Sequence, residues 1–308
     1  MSSYPSNPFL THSDSLGLDS GDREITEQSE ETAVYEVGAL RSDQPSLYFV
    51  QLTDFHLFTD PEQHLLGVKT EASFATVLAA VAALDPRPEF LLLTGDLTQD
   101  GSAAGYARLK HYLGQVGIPS YWLAGNHDRI PAMTDQLQGN GIRPDKHFTQ
   151  GQWSFVLLNS HRPGQDSGHL DDQDFDNLRQ ILIETEAAGH YLVITLHHPP
   201  FEVGSDWLDG SALQERERFF ELLAPYRHVR LVLCGHIHQD FQIHHNGVTY
   251  LSCPSTCIQF KPLSDDFALD EIPPAFRQIW LHSDGSFATR LCRVPAGFQK
   301  PDLQIRGY

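Results

Sequence analysis

The chain has little that would carry it into a membrane. No apolar run reaches the eighteen or more residues of a spanning helix, and no basic stretch leads into an apolar one at the start, as in a secretion signal. Export and membrane insertion are therefore not expected. Cysteine is scarce, four in 308 residues, which rules out a disulfide framework in a chain this long. Cys253 and Cys257 lie four apart, but without a second pair nearby they read as packing residues rather than a metal clip. The composition suits a reducing cytoplasm. Basic residues are outnumbered, 21 Lys and Arg against 40 Asp and Glu, for a formal net charge of −19. Stable nucleic-acid binding needs a basic surface to displace counterions, so it is disfavoured. An anionic substrate would also be repelled unless bound cations reversed the sign locally. No internal repeat is visible.

What remains is enough chain to bury a substantial core. Residues 1–45 are rich in Ser, Asp and Glu (SDSLGLDSGDREITEQSEET). Such a segment buries too little to offset its ordering entropy, and an acidic, disordered extension is expected. A folded domain is expected over 46–294, and 295–308, with Pro295, Gly297 and Pro301, reads as an extended tail. Between the ends, β-branched and aromatic runs at 47–52, 90–94, 120–124, 153–158, 191–196 and 229–234 predict buried strands. Helical spacing appears at Phe74, Val77, Leu78 and Val81, at Tyr106, Leu109, Leu113 and Val116, and at Phe175, Leu178, Ile181 and Leu182. A fourth helix is predicted over Leu213, Phe219, Phe220 and Leu223, ending before Pro225. Asn246-Gly247 and Asp284-Gly285 predict two hairpins, a strand-rich C-terminal third completing a second sheet. The fold class is α/β.

Five polar clusters begin where predicted strands end: TDFH, GDLTQDG, GNHD, HHPP and GHIH. In layered α/β folds the loops beyond the strand carboxyl ends converge, so distant residues can share one site. Asp-x-His and His-x-His have the period-2 spacing that aims both side chains to one side of an extended segment. The glycines before Asp96, Asn126 and His236 permit sharp exits and close backbone approach. The donors are all oxygen and imidazole nitrogen, which suits Mn, Fe or Zn. Seven ligands exceed one metal's need and fit two. Asp54, His56 and His238 are assigned to one metal, Asn126, His197 and His236 to the other, with Asp96 bridging.

The run DxH…GDxxxDG…GNHD…HH…GHIH over about 47–240 resembles the calcineurin-like metallophosphoesterase superfamily. That resemblance implies a four-layer α/β/β/α sandwich with two mixed sheets and helices outside. LTDFHLF, LLGV, TGDLTQD, WLAGNHD, CGHIHQ, CPSTCIQFKP and the terminal GY are similar, further, to the bacterial class III cyclic-nucleotide phosphodiesterases over about 47–308. This implies hydrolysis of cAMP to 5′-AMP in the cytoplasm with iron or manganese, zinc being compatible. A hydroxide between the metals would attack phosphorus in line with the departing 3′-oxygen. His127 would stabilise the transition state or protonate the leaving oxygen, a purely structural role being its alternative. His56, Asn126, His127 and His238 are expected at the substrate, and Asp128 would hold the imidazole of His127 or of a ligand histidine.

Other polar residues carry plainer expectations. Asp100 shapes its loop, and His198 is either a support or a packing residue. His169 could line the cleft mouth, whereas His161 has no partner pattern and reads as chance abundance. Phe260 and its stretch could shape a nucleotide pocket or pack the core. Competing functions are another diester or nucleotide hydrolase, including a nuclease or phosphatase, and a non-catalytic protein-binding scaffold. A monomer and a homodimer are both compatible with the sequence.

Overall fold

The computed structural model describes residues 34–37 and 46–307. In chain order it forms β1 (Val34–Val37), β2 (Leu47–Leu52), β3 (His64–Leu65), β4 (Val68–Lys69), α1 (Thr70–Ala82), β5 (Phe90–Thr94), α2 (Ala103–Val116), β6 (Ser120–Leu123), α3 (Ile130–Gln136), β7 (Ile142–Arg143), β8 (His147–Gln150) and β9 (Trp153–Leu157). There follow α4 (Asp172–Ala187), β10 (Tyr191–Thr195), α5 (Asp206–Asp209), α6 (Arg216–Leu223), β11 (Val229–Cys234), β12 (Gln242–His245), β13 (Val248–Ser252), β14 (Gln259–Phe260), β15 (Leu269–Asp270), β16 (Ala275–Leu281) and β17 (Phe287–Arg293).

Two mixed sheets dominate, ordered β1-β17-β16-β2-β5-β6-β7 and β12-β13-β11-β10-β9-β8. Their central strands are apolar on both faces because both faces are covered. Period-2 alternation sends Phe49, Leu92, Phe155, Val193 and Leu233 into one cluster between the sheets. The intervening residues Val50, Leu91 and Leu93 pack against Phe74, Val77 and Leu113 of α1 and α2. On the other side Ile194 and Val232 meet Phe175 and Leu178 of α4 and Phe219 of α6. The result is the four-layer α/β/β/α sandwich.

Local signals explain the element ends. Ser102 caps α2 by accepting the Gly105 N–H, and Gly117 ends it in the left-handed conformation (φ 66°). A capping box of Asp171 and Asp174 starts α4.

Three expectations change. The C-terminal strands do not complete one sheet: β12 and β13 join the second, with β13 parallel to β11, whereas β16 and β17 join the first beside β2. Each hairpin goes where an open strand edge and a matching apolar face exist, information that lies outside its own residues. Leu213 is not in the fourth helix, which starts at Arg216. Its N–H donates to Pro199 O and that of Gln214 to Gly168 O, so the backbone is held by neighbouring loops instead of a helical ladder. Within residues 1–45, Val34–Val37 forms β1 and pairs antiparallel with β17; the rest of that segment lies outside the described residues. The closing segment is held down as well, by Asp302 N–H on Leu66 O and Lys69 N–H on Gln299 Oε1.

Candidate metal centre

β2, β5 and β6 are parallel neighbours in one sheet, as are β9, β10 and β11 in the other. Their carboxyl ends therefore open at one edge of each sheet. Asp54 follows β2, Asp96 follows β5, Asn126 follows β6, His197 follows β10, and His236 and His238 follow β11. All seven expected ligands meet there. Asp54 and His56 lie with His238, and Asp54 and Asp96 lie with His197, as groups whose ligand atoms are within 4.8 Å of one another. Asn126 Oδ1 stands 3.2 Å from His197 Nε2 and 3.1 Å from His236 Nδ1. Asp96 Oδ2 lies between the two sets, 3.2 Å from His197 Nε2 and 4.0 Å from His56 Nε2.

The Asp-x-His and His-x-His pairs converge for a different reason than a strand pleat. Asp54, His56, Asp96, His236 and His238 all have positive φ, between 49° and 69°. The loops past the strand ends alternate in handedness, and this turns both members of each pair inward. The loops are laced together, Asp54 N–H donating to Gly95 O and His56 N–H to Asp96 O. The three glycines are required by crowding. A Cβ on Gly95 would lie 2.4 Å from His197 Nδ1, on Gly125 2.1 Å from Asp96 Oδ1, and on Gly235 2.2 Å from Thr53 Oγ1.

The donor set fits divalent cations, and the hydrogen bonds on the far side of each ring show why. His197 Nδ1 is 2.8 Å from Thr94 O and His238 Nδ1 is 3.0 Å from Ile258 O. Carbonyls only accept, so both rings donate there from Nδ1, which leaves Nε2 of each as the atom that would take a cation in exchange for any proton it carries. His56 Nδ1 is likewise 2.6 Å from Gln99 Oε1. The Nε2 atoms of His56 and His238 then face each other at 3.2 Å, with Asp54 Oδ1 3.3 Å from His238 Nε2. Converging lone pairs and carboxylates repel unless a cation lies among them.

Electrostatics agree. Burial pushes the His56 and His236 imidazoles down to about 3, so both are neutral and ready to ligate. Burial also works against the charged forms of Asp54, Asp96 and His197. At Asp54 the neighbouring His238 and His197 outweigh it, and at Asp96 His197 and His127 do, holding both carboxyls below the usual range. Asp96 and Asp54 in turn raise His197 to about 9.

Of the residues expected at the substrate, Asn126 and His127 are half-exposed at the opening. His56 and His238 are closed off, at 0% and 1% exposure. His127 stands edge-on to His56 (5.1 Å) and donates its N–H to Asp96 Oδ1. Asp128 is corrected: its carboxylate holds no imidazole but takes the N–H groups of Leu97, Thr98 and Gly125 and the hydroxyl of Tyr106. Being next to His127 in sequence does not bring it to that ring, because its side chain turns into the protein. Asp100 does shape its loop, accepting from Thr59 and Ser102. His198 is bonded to Ser160 Oγ (2.8 Å) and packs against the rings of His197 and His236 (4.9 and 4.8 Å). Phe260 stacks flat on His238 at 4.1 Å. His169 is tied to Ser167 and Glu215. Cys253 and Cys257 are buried free thiols with burial pushing both to about 12.

Several contributors carried no usable signal in sequence. Thr94 and Ile258 act through carbonyls, which every residue has. Gln99, Ser211 and Tyr106 lie outside the short motifs or are unmarked within them. His161, beside Ser160 in the loop that follows β9, is buried (6% exposed), and that burial lowers its imidazole pKa.

The chain matches the family model for calcineurin-like phosphoesterases over residues 47–240. It is 38% identical over 263 residues to the 3′,5′-cyclic adenosine monophosphate phosphodiesterase CpdA of Pseudomonas aeruginosa, covering 85% of this chain and 96% of that protein. It is 40% identical over 245 residues to a 3′,5′-cyclic-nucleotide phosphodiesterase of Nostoc, covering 80% and 91%. A dimetal phosphatase from Danio rerio shares the fold, with a TM-score of 0.63 at 15% identity over 78% of this chain and 94% of that one. With the family model matching residues 47–240, more than half of the chain, and relatives near 40% identity covered almost end to end, this protein belongs to the calcineurin-like phosphoesterase family.

Proposed function

We propose that the chain is a dinuclear-metal phosphodiesterase that converts 3′,5′-cyclic AMP to 5′-AMP in the cytoplasm. One observation carries this reading: the Asp, His and Asn donors converge in a chain that matches the Pseudomonas cAMP phosphodiesterase over 96% of that protein's length. Among the described residues no helix is long and apolar enough to cross a membrane, which is compatible with the location.

Asp54, His56 and His238 would hold one cation and Asn126, His197 and His236 the other, with Asp96 reaching both. Iron or manganese suits these nitrogen and oxygen donors, and zinc is compatible. When bound, the cations polarise the phosphoryl oxygens and lower the pKa of the attacking water. Asn126 and His127 have the exposure needed to face substrate. The Asp96 carboxylate anchors the His127 backbone, which keeps the ring beside the centre. There it can give a proton to the departing 3′-oxygen. Asp128, tied to three loop N–H groups, keeps the Asn126–His127 turn in place.

The test is a panel of cAMP, cGMP, AMP and a generic phosphodiester, with Mn, Fe and Zn supplied separately. cAMP turnover dependent on one of these metals is expected. Protein that takes up metal and cleaves the generic diester while leaving cAMP intact would sink the cyclic-nucleotide assignment.

A further inference from the structure

The segment 203–211, between β10 and α6, carries none of the family motifs, yet it touches His236 directly and His238 through Phe260. Asp209 clasps it by accepting the N–H groups of Val203 (2.6 Å), Gly204 (3.0 Å) and Ser205 (3.2 Å). Ser205 Oγ in turn accepts the Ser264 N–H at 3.1 Å. Trp207 meets Phe260 edge-on at 4.8 Å, and Phe260 stacks on His238. At the other end, Ser211 Oγ lies 2.7 Å from His236 Nε2 and donates its proton to Leu208 O at 2.8 Å.

We propose that Ser211 is a positioning residue that sets the tautomer of His236 and thereby selects the nitrogen with which His236 binds metal. Leu208 O can only accept, so with the hydroxyl proton given to it the Ser211 oxygen accepts and His236 donates from Nε2. The lone pair is then on Nδ1, the atom 3.1 Å from Asn126 Oδ1. This is the reverse of His197 and His238, which donate from Nδ1 to carbonyls and keep Nε2 for the metal. The reversal has a structural cause. His197 and His238 back onto strand-end and loop carbonyls inside the sandwich, whereas His236 is backed by Ser211, the residue that follows the C-cap of α5. The carboxylate clasp at Asp209 keeps the α5 turn at the correct height. Groups that hold the far nitrogen of a ligating histidine typically contribute about 10–100-fold in metal affinity.

The inference rests on reading Asn126, His197 and His236 as ligands of one cation, and its test reads metal uptake, not cAMP turnover. The metal-free full chain is titrated with Mn²⁺ by calorimetry for wild type, Ser211→Ala and Ser211→Thr. Nitrogen-15 NMR of the histidines reports the His236 tautomer in the same samples. The expected result is an Nε2–H ring in wild type, with two Mn²⁺ bound. In Ser211→Ala one binding event weakens about 10–100-fold while the other is unchanged, and Ser211→Thr restores it. Two cations bound by Ser211→Ala with wild-type affinity would overturn the proposal. So would an Nδ1–H ring in wild type, or a folded Ser211→Thr that binds as poorly as the alanine variant. Wild type that takes up no cation would remove the centre itself and the proposal with it, an outcome distinct from metal uptake without cAMP hydrolysis.

Discussion

Asp54, His56, Asp96, His236 and His238 occupy a backbone region that side-chain-bearing residues avoid, at a cost of about 1–3 kcal/mol each. They stay there because the surrounding bonds over-determine them, including His236 N–H on both carboxylate oxygens of Asp54. Strain of this kind places donors where a relaxed strand end would not. Single substitutions should separate ligands from their neighbours. Asp96→Ala removes the carboxylate that lies between the two sets, so turnover should vanish and metal content by atomic absorption should fall; near-normal activity would refute the ligand assignment. His127→Ala should leave metal content unchanged while kcat drops by roughly 10²–10⁴. Metal loss in that variant would mean that His127 belongs to the ligand set instead.

At the scale of elements, the centre is assembled by loops beyond strand ends, and two features hold those loops. One is the glycine at three of the exits, Gly95, Gly125 and Gly235. Gly235→Ala would press a Cβ against Thr53 Oγ1 and to 2.9 Å from Asp54 Oδ2, costing about 1–3 kcal/mol as overpacking does. A lower melting temperature together with reduced metal content is expected; a melt unchanged from wild type would contradict the crowding. The other feature is Tyr106 on α2, which donates to Asp128 and accepts the Arg129 N–H. Tyr106→Phe deletes a hydrogen bond to a buried carboxylate, so stability should fall by about 1.5–3 kcal/mol in denaturant titration. The strands themselves were legible from their β-branched runs and the helices from their spacing. The sheet joined by each C-terminal hairpin was not, because its turn dipeptide specifies the hairpin and says nothing of its neighbour.

For the whole molecule, with a net charge of −19, the groups that could hold a cation among the described residues all fall in one mostly buried cluster of Asp and His side chains. Metal uptake must therefore depend on pH. In the metal-free protein Asp96 and Asp54 hold His197 up to about 9 despite its burial, so at neutral pH this ring carries a proton that an incoming cation must expel. The sign follows: affinity rises with pH up to about 9, by at most about tenfold per unit, and is lost as pH falls. Calorimetry in buffers of different ionisation enthalpy should show a proton released at pH 7. Uptake that is independent of pH between 6 and 9 would contradict this. The same cations should raise the melting temperature, and chelation should lower it, because they bind only the assembled centre.

Composition, periodicity and motif spacing determined by themselves that this is an α/β chain without a membrane-spanning run and with seven Asp, Asn and His donors at strand ends. That much is legible because metal ligation admits few residue types, and because buried strands need apolar side chains whatever their partners. Only the tertiary structure decided how the donors face one another. The left-handed turns at Asp54, His56, His236 and His238, the carbonyls of Thr94 and Ile258 behind the rings, the turn of Asp128 into the protein, and the approach of Ser211 and His161 all depend on which segments pack together. Backbone groups and long-range neighbours carry no residue-type signature, so a linear pattern could mark the ligands but not the atoms that aim them.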